Sequence, residues 1–223
     1  MSFYEILTAS TPKLLQGLVV TLEMTLISVF IGLFLGIILC LSKVYANKPI
    51  RFLSSAFIEL IRGTPLLVQL FILYYGLPVY GIRLSPLMAA LIGFSINSGG
   101  YQAEYIRGAI QSIGAGQMKA ALSLGMKKWQ AVRTIILPQA LRRVIPSWTN
   151  EFIYLLKYTS LAYIIGAPEM MAQAKFIASR NFEFFRVYLL TAIIYLAVVW
   201  GFAEIFSAVE RKLRIPGTMI GER

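Results

Sequence analysis

The chain is 223 residues long and 58% hydrophobic, carries a formal charge of +11, and contains neither His nor Asp. That is too apolar for an ordinary soluble domain, and the missing residue types exclude the common acid–base triads and His-based metal centres. The cations fall between apolar stretches rather than on one soluble face, so a membrane topology signal explains them better than a nucleic acid partner does.

In chain order, five stretches near the roughly 20 residues that cross a hydrocarbon core predict an all-α polytopic membrane protein with five transmembrane helices in one domain, residues 1–223. The opening MSFYEILTAS has no basic flank before an apolar core, so no cleaved signal peptide is expected. The first span covers about 17–41. Its Gly32 and Gly36, four apart, permit close approach of another helix, and its Cys40, the lone cysteine, leaves no disulfide within the chain. The second covers about 56–75 and is interrupted by Gly63-Thr64-Pro65. The third runs from about 86 to 105, the fourth from 144 to 165 and the fifth from 185 to 209.

Basic residues follow the first span (Lys43, Lys48, Arg51), the third (Arg107, Lys119, Lys127, Lys128, Arg133, Arg142, Arg143) and the fifth (Arg211, Lys212, Arg214, Arg223). Only Lys13, Arg83, Lys175, Arg180 and Arg186 lie on the other side, which places the N-terminus outside and the C-terminus in the cytoplasm. The segment after the third span is then cytoplasmic. On a helix its Met118, Leu122, Gly125 and Trp129 share a face with Ala121 beside them, flanked by Lys119, Lys127 and Lys128. Such a stripe fits a helix pressed into a groove of another protein, and equally a helix lying on anionic lipid.

Ala120-Ala121, three residues, Gly125, nine residues and Ile135-Ile136-Leu137-Pro138 resemble the coupling loop of permease subunits in ABC importers. FIELIRGTPLLVQLFILYYGLP (57–78), YQAEYIRGAI (101–110) and LLKYTSL (155–161) are similar to the polar amino acid uptake branch of that family. The resemblance implies a bacterial inner-membrane location, an external or periplasmic amino acid-binding protein, a second permease subunit, and an ATP-hydrolysing subunit docked on a short coupling helix within about 113–138. The docking residues it implies are Ala120, Ala121, Leu124, Gly125 and Met126. No G-x-x-x-x-G-K-[ST] run is present, so ATP is expected to act through the partner and no cofactor is expected in this chain. Two positions depart from the pattern: Lys119 stands where the loop usually has an acid, and Tyr158 where the branch commonly has Asp.

For the substrate, Glu151 is the foremost candidate. A lone acid inside a span costs about 2.5–3.5 kcal/mol and so faces a cavity or a partner. Lys157, six positions on, sits about 120° round the helix, whereas Ser147, Trp148, Tyr154, Leu155 and Tyr158 share the Glu151 face. A carboxylate among aromatic rings suits a guanidinium or ammonium, favouring arginine, lysine or histidine; pairing with a Lys or Arg from another span remains the alternative. Asn97 and Tyr101 share a face with Glu104 and either touch ligand or, for Asn97, bond a neighbouring helix. Gly63 can break the second span so that Thr64 caps a new helix with Pro65 first; the free amides of Leu66 and Leu67 would then meet the substrate carboxylate, unless the break is only a packed kink. Glu59 with Arg62, and Glu104 with Arg107, are expected to neutralise each other at i, i+3. A gradient-driven carrier or channel using Glu151 for a proton or cation is the competing class, and it has no need of a docking helix.

Overall fold

The computed structural model describes residues 3–113 and 115–213, and these are helical with no strand among them. Arg214 and Arg223, counted above on the basic side, lie outside the described residues. The first helix, α1 (Phe3–Tyr45), outruns its apolar stretch at both ends. Next come α2 (Lys48–Gly63), whose first turn is closed by the Asn47 side chain accepting from the Ile50 amide, and α3 (Leu66–Phe71). A π turn (Ile72–Gly76) and a 3-10 turn (Leu77–Tyr80) prolong α3. Ser85 then caps α4 (Pro86–Ser112) by accepting from the Met88 amide.

Two short helices follow, α5 (Ala115–Ser123) and α6 (Lys128–Ala131), and a π turn (Val132–Ile136) leads into α7 (Leu137–Tyr158). Both π turns stop two residues before a proline, Pro78 and Pro138. A proline lacks the N–H that the carbonyl four residues earlier would accept, and its ring crowds that carbonyl, so the helix widens there. A 3-10 stretch (Thr159–Ile165), α8 (Met170–Asn181) and α9 (Phe184–Leu213) complete the chain.

Among the described residues, two helices can cross a membrane by length and composition, Ser10–Tyr45 and Phe184–Lys212, or three if α2 and the 66–80 helix count as one broken span. The expected count of five is therefore not met on apolarity. The reason is chemical: α4 and α7 are long enough, but α4 carries Ser, Asn, Gln and Gly along its buried surface, and α7 carries Arg142, Arg143, Asn150, Glu151 and Lys157. Such helices need protein or a cavity beside them rather than lipid.

α4 is the axis of the fold, buried on nearly every side, and α1 runs along it. Gly32 and Gly36 make that contact as expected. A β-carbon on Gly36 would stand 2.9 Å from Gln102 Cβ and 3.0 Å from the Ala103 amide nitrogen. From α4, Gly99 answers with its own missing β-carbon 2.9 Å from Leu35 Cβ. The buried Gln102 donates to the Val29 carbonyl (3.0 Å) and to Ser98 Oγ (2.9 Å), bonding the seam. α8 gives no signal in the sequence. Its buried Glu169 accepts from the Met171 and Ala172 amides (2.8 and 2.7 Å), and the Thr21 hydroxyl accepts from the Met170 amide (3.2 Å), which pins α8 against α1.

Candidate functional site

The second span does not run straight. The chain turns through 103° between α2 and the helix that follows. Thr64 does not cap the new helix: its hydroxyl donates back to the Leu60 carbonyl (2.8 Å) and so closes α2. Pro65 takes the cap position of α3, with no side-chain bond. Leu66 and Leu67, the first two residues of α3, are half-buried. The corner is held by a side chain that the sequence does not single out. Gln69 donates to the Ile61 carbonyl (2.8 Å), the Thr64 carbonyl (3.2 Å) and Thr64 Oγ1 (2.9 Å), while its own carbonyl oxygen accepts from Asn97 Nδ2 (3.1 Å). Asn97 thus makes the interhelical hydrogen bond that was one of its two expected roles. A lone amide in the apolar run LLVQLFILYY was the available signal, because carbonyls freed by a break in a span must find a donor.

We expect Gln69→Leu to strip the corner of its donors. The half-buried Ile61 carbonyl and the Asn97 amide each lose a partner at about 1–3 kcal/mol, so the thermal midpoint in detergent should fall by several degrees. An unchanged midpoint would mean that packing alone holds the bend.

Glu151 lies on α7 facing α4, 6% exposed. Its Oε2 accepts from the Tyr105 hydroxyl at 3.3 Å. Among the described residues no cation pairs with it. The alternative of a Lys or Arg partner from another span is therefore not realised among the described residues. Nor does the expected aromatic surround form. Trp148 turns into the core against Phe30, Phe152 and Phe206 (ring centroids 5.9, 6.3 and 6.1 Å), and Tyr154 stacks on Tyr158 outside, half-exposed, with Lys157 Nζ 4.8 Å over its ring. Ser147 is half-buried. The tyrosine that does meet Glu151 comes from α4, one turn beyond Tyr101, whose ring lies 6.5 Å from that of Tyr105.

Charge pairing near Tyr101 also differs from the local expectation. Arg107 does bind Glu104, through Nε (2.9 Å) and Nη2 (2.8 Å). Arg62, however, leaves Glu59 and reaches across to Glu104 at 3.8 Å, and Lys43 of α1 takes the other oxygen at 2.9 Å. Glu104 therefore ties together α1, α2 and α4, a long-range contact that i, i+3 reasoning does not reveal.

The segment expected to be one helix through Gly125 is two. α5 stops at Ser123, Gly125 has φ +81, and the amides of Gly125 and Met126 bond back to the carbonyls of Leu122 and Ala121 (3.0 and 3.1 Å). This is a Schellman end, for which the left-handed glycine is suited. Trp129 consequently belongs to α6 and not to the stripe with Met118 and Leu122. Ala121, expected at the docking surface, has its side chain buried within this chain, and Met126 is half-buried. Ala120, Leu122 and Leu124 are exposed, Leu124 at 84%, and the exposed Trp129 lines a cleft of about 480 Å³ together with Lys127, Gln130, Arg133 and Thr134. Side chains with no signal in the sequence fasten this platform: Gln139 to Gln117 (2.7 Å), Arg143 to the Ser112 carbonyl (2.6 Å), and Lys128 over the Tyr45 ring (5.4 Å).

Comparison with known proteins places this geometry. The family described as "binding-protein-dependent transport system inner membrane component" matches residues 28–215. A relative from Bacillus subtilis (strain 168), named probable amino-acid ABC transporter permease protein YckA, is 41% identical over 91% of this chain and 89% of its own. One from Rickettsia bellii (strain RML369-C), named putative glutamine transport system permease protein GlnP, is 36% identical over 94% of this chain and 98% of its own. A solved structure described as an amino acid ABC transporter with histidines has a TM-score of 0.88 at 38% identity, covering 95% of this chain and 99% of that one. A helical chain bent at Gly63-Thr64-Pro65, with the Ala120-to-Pro138 platform fastened to α4 and α7, belongs to the inner-membrane components of binding-protein-dependent transport systems.

Proposed function

We propose that the chain is the permease subunit of an ATP-driven importer that moves a polar, cationic amino acid inward by alternating access. The observation that carries the substrate class is Glu151: a buried carboxyl, hydrogen-bonded by Tyr105, without a cation partner among the described residues. A carboxylate at that depth is stabilised by a counter-charge, and an arginine, lysine or histidine side chain provides one. The likeness to the amino acid transporter with histidines supports this reading, while the glutamine relative marks the neutral alternative.

In this reading α1, the broken α2–α3 pair, α4, α7 and α9 are the five spans, in a single domain with the N-terminus outside and the C-terminus in the cytoplasm. Asn97, Tyr101 and Ser147 line the path, and Thr64, Leu66 and Leu67 present the corner to the substrate. α5 is the coupling helix; Ala120, Leu124, Gly125 and Met126 meet the ATP-binding subunit, which hydrolyses the nucleotide. A second permease subunit, identical or related, completes the pathway, and an external binding protein delivers the amino acid.

ATP-dependent uptake by the reconstituted complete transporter tests the substrate class. Glu151→Gln should weaken uptake of arginine, lysine or histidine by roughly tenfold or more while sparing glutamine, because a charge-assisted bond worth about 1.5–3 kcal/mol is lost only for cations. Equal losses for cationic and neutral substrates would remove the reason for choosing a cation.

A further inference from the structure

We propose that Arg62 binds the α-carboxylate of the transported amino acid, with Tyr101 holding its guanidinium in place. The inference rests on the permease reading above. Three observations carry it.

The first is that Glu104 is already occupied. Lys43 takes one of its oxygens at 2.9 Å, and Arg107 takes the other with two nitrogens at 2.8 and 2.9 Å. Arg62 stands 3.8 Å away, beyond hydrogen-bond distance, so three cations surround one carboxylate and Arg62 holds the weakest claim on it. The second is its setting. The Arg62 side chain is 40% exposed at the end of α2, directly before the corner, with its guanidinium 5.2 Å over the Tyr101 ring. A cation in a broken span calls for an anion, and the planar fork of arginine matches a carboxylate with two parallel bonds. The third is what lies along α4. Tyr101 and Tyr105 are one turn apart, and Tyr105 touches Glu151. Arg62 and Glu151 are therefore linked through two tyrosines on one face of α4, a cation at the first ring and a carboxyl at the second.

Direct binding to the complete transporter in nanodiscs, without binding protein, tests this with L-arginine, L-argininamide, L-glutamine and L-glutaminamide as probes. The amides lack the carboxylate and nothing else of consequence. Wild type should prefer each acid over its amide by roughly tenfold or more, and Arg62→Gln should bring that ratio close to one. Arg62→Lys, which keeps the charge without the fork, should retain part of it and carries the test if Arg62→Gln fails to assemble. Glu104→Gln should leave the ratio intact. A ratio unmoved in Arg62→Gln, or lost equally in Glu104→Gln, would overturn the proposal, the latter by reducing Arg62 to a structural partner of Glu104. The arginine-to-glutamine preference in Glu151→Gln reads the cationic reading separately, so either idea can fail alone. If wild type binds none of the four probes, both fall.

Discussion

Replacing Gly125 by valine is expected to abolish uptake and stimulation of the ATP-hydrolysing partner, while the chain still inserts and folds. Gly125 sits at φ +81, a region that costs an ordinary residue about 1–2 kcal/mol and a β-branched one more. A β-carbon there meets nothing within 4 Å, so the damage comes from the backbone and not from a clash. The chain relieves the strain by giving up the bonds from Gly125 and Met126 to Leu122 and Ala121, which swings the exposed Leu124 off the docking surface. Gly125→Asn, which enters the left-handed region readily, should keep much of the activity. ATPase rate and co-purification of the two subunits measure the effect. Normal uptake by the valine variant would deny this turn any part in coupling.

Gly36→Leu should cause a greater loss of folded protein than Gln69→Leu. Even the first added carbon would meet Gln102 Cβ at 2.9 Å and the Ala103 backbone nitrogen at 3.0 Å, and a backbone atom cannot step aside without moving α4. Overpacking commonly costs about 1–3 kcal/mol, and in this case α1 and α4 must separate along the seam that organises the molecule. Gly108, also on α4, supplies the control, since a β-carbon there meets nothing within 4 Å and Gly108→Ala should be harmless. The monodisperse fraction on size exclusion and the thermal midpoint should drop for Gly36→Leu and stay level for Gly108→Ala. A well-folded leucine variant would show that the two helices do not depend on this approach.

The long apolar helices and the Gly32/Gly36 seam are legible in the sequence because hydropathy and small-residue spacing report directly on which surfaces avoid water and how near two backbones come. The Ala120-to-Pro138 pattern locates the platform, but not its shape. Met118, Leu122, Gly125 and Trp129 satisfy helical spacing whether or not the helix continues, and only the left-handed Gly125 decides that it stops. α8 escapes notice because a short helix of mixed polarity has little signal of its own; the Glu169 cap and the Thr21 contact that hold it come from outside it. Arg62 illustrates the same limit for charge. The nearest acid along the chain, Glu59, is exposed, and the one that Arg62 approaches lies two helices away. At Glu151 the depth is legible and the company is not, since Tyr105 arrives from α4 and Trp148 leaves for the core.

Gln69 bonds both sides of the corner from within the chain. The carbonyls loosened by the bend, Ile61 and Thr64, take their protons from an amide carried on the same segment. Because the far end of that amide accepts from Asn97, one side chain joins α2, α3 and α4, and a tilt of the bent helix has to break that bond or carry α4 with it.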